Sequence, residues 1–138
     1  MSDHLPGAGV LERDPYAAAF PEHLPFWQAA AEGRLLLPRC ADCGWTHWHP
    51  RAHCPFCWSG TVRWEVACAR ARLHTFTVIP RNGSSTVLAY VRLEEGPLML
   101  TNVVDADPGA LRIGMPLVAA FRATPEGRMA PVFRPAPE

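Results

Sequence analysis

The sequence predicts a mainly β chain in which short N-terminal helices lead into a small cysteine-built module and then a five-stranded barrel. Three observations predict it. Pro occurs 15 times in 138 residues, which favours short strands, turns and loops over long helices. Four of the five Cys fall between Cys40 and Cys57, and all five Trp between Trp27 and Trp64, so composition changes abruptly along the chain. After Cys68 the residues read strand, strand, strand, short helix, strand, strand. That is the order of an OB-fold, a Greek-key barrel with its helix between the third and fourth strands. The expected divisions are residues 1–34 for the tail and short helices, 35–68 for the cysteine module and 69–138 for the barrel.

Residues 1–13 carry Gly, Pro and mixed charge and are expected to be a mobile tail. Asp14-Pro15 reads as an N-cap followed by Pro at the first helical position, opening a helix that ends before Pro21. Pro25 can open a second helix through Glu32, with Gly33 placed to end it in the left-handed conformation. Both are too short to persist alone. Tyr16, Phe20, Phe26 and Trp27 must therefore pack against the rest of the chain or another subunit, and are the candidate partner-binding residues.

Cys40-Ala-Asp-Cys43 and Cys54-Pro-Phe-Cys57 are two C-x-x-C pairs ten residues apart. A tight turn after the first Cys of each pair lets two thiolates reach one ion, and two such knuckles complete a tetrahedron at about 2.3 Å from zinc. This is a zinc ribbon, with Cys40, Cys43, Cys54 and Cys57 as ligands and iron the rival metal. Four thiolates leave no position for water or substrate, so the ion is expected to be structural. Gly44 suits the first knuckle, whereas Trp58 in the matching place suggests a looser second one. Leu35–Leu37 and Trp45–Trp48 are the expected ribbon strands. His47, His49 and His53 are expected on the ribbon surface, and Cys68 as a packed thiol at the module junction.

In the barrel, Arg72–Ile79 is the first strand, with Leu73, Phe76 and Val78 offered to a core, and Pro80–Ser85 a loop. Thr86–Leu93 forms the second strand, 94–96 a turn and 97–104 the third strand. Asp107-Pro108 caps one helical turn, and residues 117–121 and 129–134 complete the set.

Charge narrows the function. Thirteen basic residues, all Arg, balance thirteen acidic ones. The absence of Lys excludes a Schiff base, a phosphate-loop lysine and a polylysine membrane patch. From Arg70 onward eight arginines face six carboxylates, weak for tracking a nucleic-acid backbone, although a single-stranded nucleic-acid binder is the alternative reading of a ribbon followed by an OB-fold. No general acid–base pair or nucleophile with an adjacent base stands out. Met1–Pro6 lack a basic and apolar leader, and no run of apolar residues is long enough for a membrane helix. A cytoplasmic location is expected.

Several segments together resemble a known family. Pro25-Phe-Trp, Glu32-Gly-Arg-Leu-Leu-Leu-Pro-Arg-Cys40, Pro50-Arg51, Cys54-Pro-Phe-Cys57, Leu98–Asn102, Leu111–Leu117 and Pro131–Pro135 are similar to the zinc-ribbon/OB-fold acyl-CoA-associated family, long described as a domain of unknown function. Ala69-Arg-Ala-Arg72 departs from it, standing where the family has a glycine-rich entry to the barrel. The resemblance implies N-terminal helices, a rubredoxin-like ribbon and an OB barrel. It implies a non-catalytic accessory subunit, docked in a hetero-oligomer on a thiolase-fold enzyme such as a thiolase, an acyl-CoA synthase or a steroid side-chain aldolase. It also implies acyl-CoA as a shared ligand. Without Lys, CoA phosphates would need Arg, and Arg81 and Arg128, in the first and last barrel loops, are the candidate contacts.

Overall fold

The computed structural model describes residues 14–137, so the tail expected over residues 1–13 lies outside the described residues. The chain divides into two compact units, one of residues 14–67 with Phe121–Ala130, the other of Cys68–Ala120 with residues 131–137.

The first unit opens with helix α1 (Pro15–Ala19). The Asp14 side chain caps it, accepting from the N–H groups of Tyr16 at 2.8 Å and Ala17 at 3.4 Å. A helical turn at Pro21–His23 leads to α2 (Leu24–Ala31). Gly33 ends α2 at φ +78°, and the N–H groups of Gly33 and Arg34 close back on Ala30 and Ala29. Phe26, Ala29, Ala30 and Ala31 are buried, as are Leu35 and Leu37 beyond them.

Strand β1 (Leu36–Cys40) pairs antiparallel with β2 (Val62–Val66), with Leu36 opposite Val66 and Cys40 opposite Val62. The second ribbon strand is thus the segment after the second knuckle, not Trp45–Trp48. The latter meets the other edge of β1 through Cys40 N–H to Trp45 O and His47 N–H to Pro38 O, making one isolated bridge. Pro38 has no N–H to extend that ladder.

The second unit is built on a closed barrel in the order β3-β4-β5-β7-β6. Its strands are β3 (Arg70–Arg81), β4 (Ser84–Leu93), β5 (Leu98–Val103), β6 (Pro116–Ala123) and β7 (Met129–Pro135). β3 pairs antiparallel with β4 and with β6, and β4 with β5, while β5 and β7 make a parallel contact at Val103 and Phe133. A short helical turn at Pro108–Ala110, capped by Asp107, lies between β5 and β6 as the strand order requires.

Alternation sets the core. Leu73, Val91, Leu93, Met99, Leu117 and Phe133 are each at most 2% exposed. A bulge at His74 shifts the β3–β4 register, and the outer half of β3 leaves the core while Val87 and Ala89 opposite it on β4 stay buried. Phe76 is accordingly only half-buried and Val78 exposed, against the expectation that both fill the barrel, and Thr77 between them is exposed too. The expected loop at Pro80–Ser85 shrinks to Asn82-Gly83, with Pro80 and Ser85 paired in the ladder and Gly83 at φ +74°.

Candidate metal centre

Both knuckles have the same backbone design. Gly44 N–H bonds to Cys40 O at 3.0 Å, and Trp58 N–H to Cys54 O at 2.9 Å. Gly44 lies at φ +80° and Trp58 at φ +67°. The second turn is therefore as tight as the first, and Trp58 takes the left-handed conformation that glycine takes without strain. The Cys43 N–H points at the Cys40 sulfur at 3.4 Å, and the Phe56 N–H at the Cys54 sulfur at 3.3 Å.

These turns bring the sulfurs of Cys40, Cys43, Cys54 and Cys57 within 4.8 Å of one another. Cys40 Sγ is 3.5 Å from Cys57 Sγ, and Cys43 Sγ 3.6 Å from Cys54 Sγ. A tetrahedral zinc with bonds of about 2.3 Å needs sulfurs about 3.8 Å apart. The four side chains fit one such ion.

Electrostatics agree. The Cys40 thiol is lowered to about 6, first by the Cys43 N–H. At Cys57 the Ser59 N–H pulls the value down, but desolvation and hydrogen bonds shared with the other three thiols push it up to about 12. Without a cation such a cluster gives up one proton readily and holds others firmly. A divalent ion removes that conflict by neutralising the thiolates.

Among the described residues, no other group of three or more metal-ligating side chains converges within reach of one ion. His47 is buried rather than on the surface, 3% exposed, and neither ring nitrogen has a hydrogen-bond partner. Burial, reinforced by Arg51, lowers its value and favours the neutral ring. His49 stacks on Trp48 and His23. Cys68 is exposed, not packed. Its thiol donates to Glu94 at 3.0 Å, and partial desolvation with that carboxylate raises its value, keeping it protonated.

The N-terminal aromatic residues separate into two roles. Phe26 is buried, its ring 4.6 Å from that of Trp48, while Tyr16 and Phe20 are 39% and 42% exposed and 5.0 Å apart. Trp27 is half-buried and its indole N–H has no partner. The Arg128 guanidinium lies 4.6 Å from the Trp27 ring centre and 5.0 Å from that of Tyr16, and forms an ion pair with Asp14. Arg81 is exposed at the end of the β3–β4 hairpin.

Sequence reasoning missed a second aromatic group on the ribbon. Trp45, Phe56 and Trp58 are 63%, 60% and 79% exposed, and the Trp45 and Phe56 rings lie 5.8 Å apart. Their positions beside the knuckle cysteines were the available signal, because a residue in so tight a turn has little core to enter.

Comparison with known proteins places these features in company. Residues 27–63 match the rubredoxin-like zinc ribbon domain of ChsH2, and residues 64–122 the C-terminal OB-fold domain of ChsH2. A DUF35 domain-containing scaffold protein of Methanocaldococcus jannaschii is 30% identical, over 72% of this chain and 77% of the relative. A probable enoyl-CoA hydratase alpha subunit of Thermomonospora curvata is 36% identical over 80% of this chain, which spans only 37% of that relative's length. A solved chain described as Ltp2-ChsH2(DUF35) aldolase is 33% identical with a TM-score of 0.74, covering 83% of this chain and 94% of the other.

Proposed function

This chain belongs to the ChsH2/DUF35 family of zinc-ribbon and OB-fold proteins, and on that premise we propose that it is a non-catalytic accessory subunit docking on a thiolase-fold, acyl-CoA-processing enzyme. The observation that carries the reading is the likeness to the solved Ltp2-ChsH2(DUF35) aldolase chain, whose description joins a DUF35 component to an aldolase. The chemistry of the thiols supports it. Cys68 is held protonated by Glu94, the reverse of an activated nucleophile.

Cys40, Cys43, Cys54 and Cys57 hold zinc in this reading. The bound ion supplies a crosslink between the two knuckles, with no open position for substrate. The chain's own contribution is a rigid surface. Tyr16 and Phe20 provide exposed aromatic anchors, the residue class that dominates interface energetics. Phe26 holds α2 in place from inside. Arg81 is the candidate contact for CoA phosphates, whereas Arg128 has its guanidinium engaged by Asp14, Tyr16 and Trp27.

Co-expression with the thiolase-fold enzymes of its host tests the proposal. The isolated chain is expected to catalyse no thiolysis, condensation or retro-aldol cleavage, while one enzyme gains solubility or activity and co-elutes with it. Replacing Tyr16 and Phe20 together by Ala should weaken that complex at least about tenfold. A chain that stays alone with every such enzyme and binds single-stranded DNA or RNA at physiological salt would be a nucleic-acid protein instead.

A further inference from the structure

The outer surface of the β3–β4 sheet carries a set of arginines. Arg70 and Arg72 on β3 and Arg92 on β4 are exposed, alternating with the buried Ala71, Leu73, Val91 and Leu93. Arg72 and Arg92 are directly opposed across the two strands, so both side chains leave the sheet together on one face. Like charges so placed destabilise a sheet.

The structure does little to neutralise them. Among the described residues neither Arg72 nor Arg92 forms an ion pair. Arg72 Nη1 donates to the Gly114 carbonyl at 2.9 Å, and Arg92 Nη1 to the Gly96 carbonyl at 2.7 Å. A carbonyl fixes one arm of each fork and leaves the charge intact. Arg70 is paired with Glu94 at 3.2 Å. All three arginines line a cavity of about 310 Å³, whose remaining wall includes Glu94, the partner of Arg70, and the apolar Leu93, Pro116 and Leu117.

Two pre-oriented guanidiniums outside any ion pair, over a concave and partly apolar floor whose one carboxylate, Glu94, is already bonded to Arg70, make a receptor for a compact anion. Their planar forks match phosphate oxygens better than they match each other. The cavity reaches the lower end of small-molecule sites in size.

We propose that this groove binds a phosphate-bearing small molecule, clamped between Arg72 and Arg92, with the Arg70–Glu94 pair at its edge. The site lies within the barrel unit and stands without any partner enzyme, so it succeeds or fails independently of the docking proposal.

Inorganic pyrophosphate is the probe, titrated by calorimetry into the full, zinc-loaded chain. Saturable binding to one site is expected, weakened about tenfold by Arg72→Gln or by Arg92→Gln and further by both. Arg92→Lys, which keeps the charge without the fork, should retain part of the affinity. Each Gln variant relieves the like-charge contact and is expected to unfold at the same or higher urea concentration than the parent. Loss of binding is then separate from loss of fold. Absence of saturable binding, or binding unchanged in the double variant, overturns the proposal. So does a glutamate-rich peptide that binds through these arginines where pyrophosphate does not.

Discussion

Asp14 has two duties that the sequence shows only half of. Its carboxylate caps α1 and also pairs with Arg128, and its side chain is 1% exposed. Burial alone would raise its value; Arg128 and the Tyr16 and Ala17 N–H groups outweigh burial and hold it below the usual 3.8. A carboxyl depressed in the folded state stabilises the fold above its unfolded value, and that contribution disappears as pH falls through the folded value. The advantage of the parent over Asp14→Asn in urea unfolding should therefore be full at about pH 6 and shrink progressively as the pH falls below the usual 3.8. Arg128→Ala should be more damaging, lowering Tm by roughly 5–10 °C in a thermal melt, because it strands a buried carboxylate and uncovers Tyr16 and Trp27. The cap was legible from Asp14-Pro15, since capping is local. The ion pair was not, because 114 residues separate its members and no pattern in either segment names the other.

At the scale of the element, the same division holds. Two C-x-x-C pairs dictate their own knuckles, so the convergence of four sulfurs was readable from spacing. The partner of β1 was not: the expected Trp45–Trp48 gives one isolated bridge, and the ladder comes from Val62–Val66 beyond the second knuckle, because pairing depends on which segment has N–H and C=O groups facing Leu36–Cys40. The bulge at His74 likewise leaves no mark in the composition of β3, yet it decides that Val78 faces water. The second knuckle and the barrel entry share one kind of strain. Trp58 and Ala69 both sit at φ +67°, a conformation that costs a residue with a Cβ roughly 1 kcal/mol or more. Ala69→Gly, which restores a residue type suited to that backbone, is expected to raise stability by about 0.5 kcal/mol after the glycine's larger unfolded-state entropy is counted. Trp58→Gly should gain similarly, since a ring 79% exposed gives up little packing; chemical unfolding of both variants checks this. Cys54→Ser has the opposite effect. It should lower the zinc-to-protein ratio measured by elemental analysis and loosen the ribbon, seen in the near-ultraviolet signal of its Trp residues.

For the whole molecule, two units with separate cores should respond differently to loss of metal. Strong chelation is expected to collapse amide protection along β1 and β2 while β3, β4 and β5 keep theirs, as hydrogen exchange can resolve element by element. Uniform loss of protection would mean that the barrel has no stability of its own. The barrel order was legible because five strands and one helical turn appear in a diagnostic sequence. The division of the chain was harder to see, because Phe121–Ala130, the tip joining β6 to β7, clusters with the N-terminal residues. That crossing has a consequence for biosynthesis. A ribosome that has completed Asp14 must add 114 more residues before Arg128 exists at all. Throughout that interval the carboxylate lacks its guanidinium partner, and the aromatic rings beside it lack their cationic cover. Helix α1 is therefore among the last elements to settle although it leaves the ribosome early, and a premature stop ahead of residue 121 would injure α1 as well as the barrel.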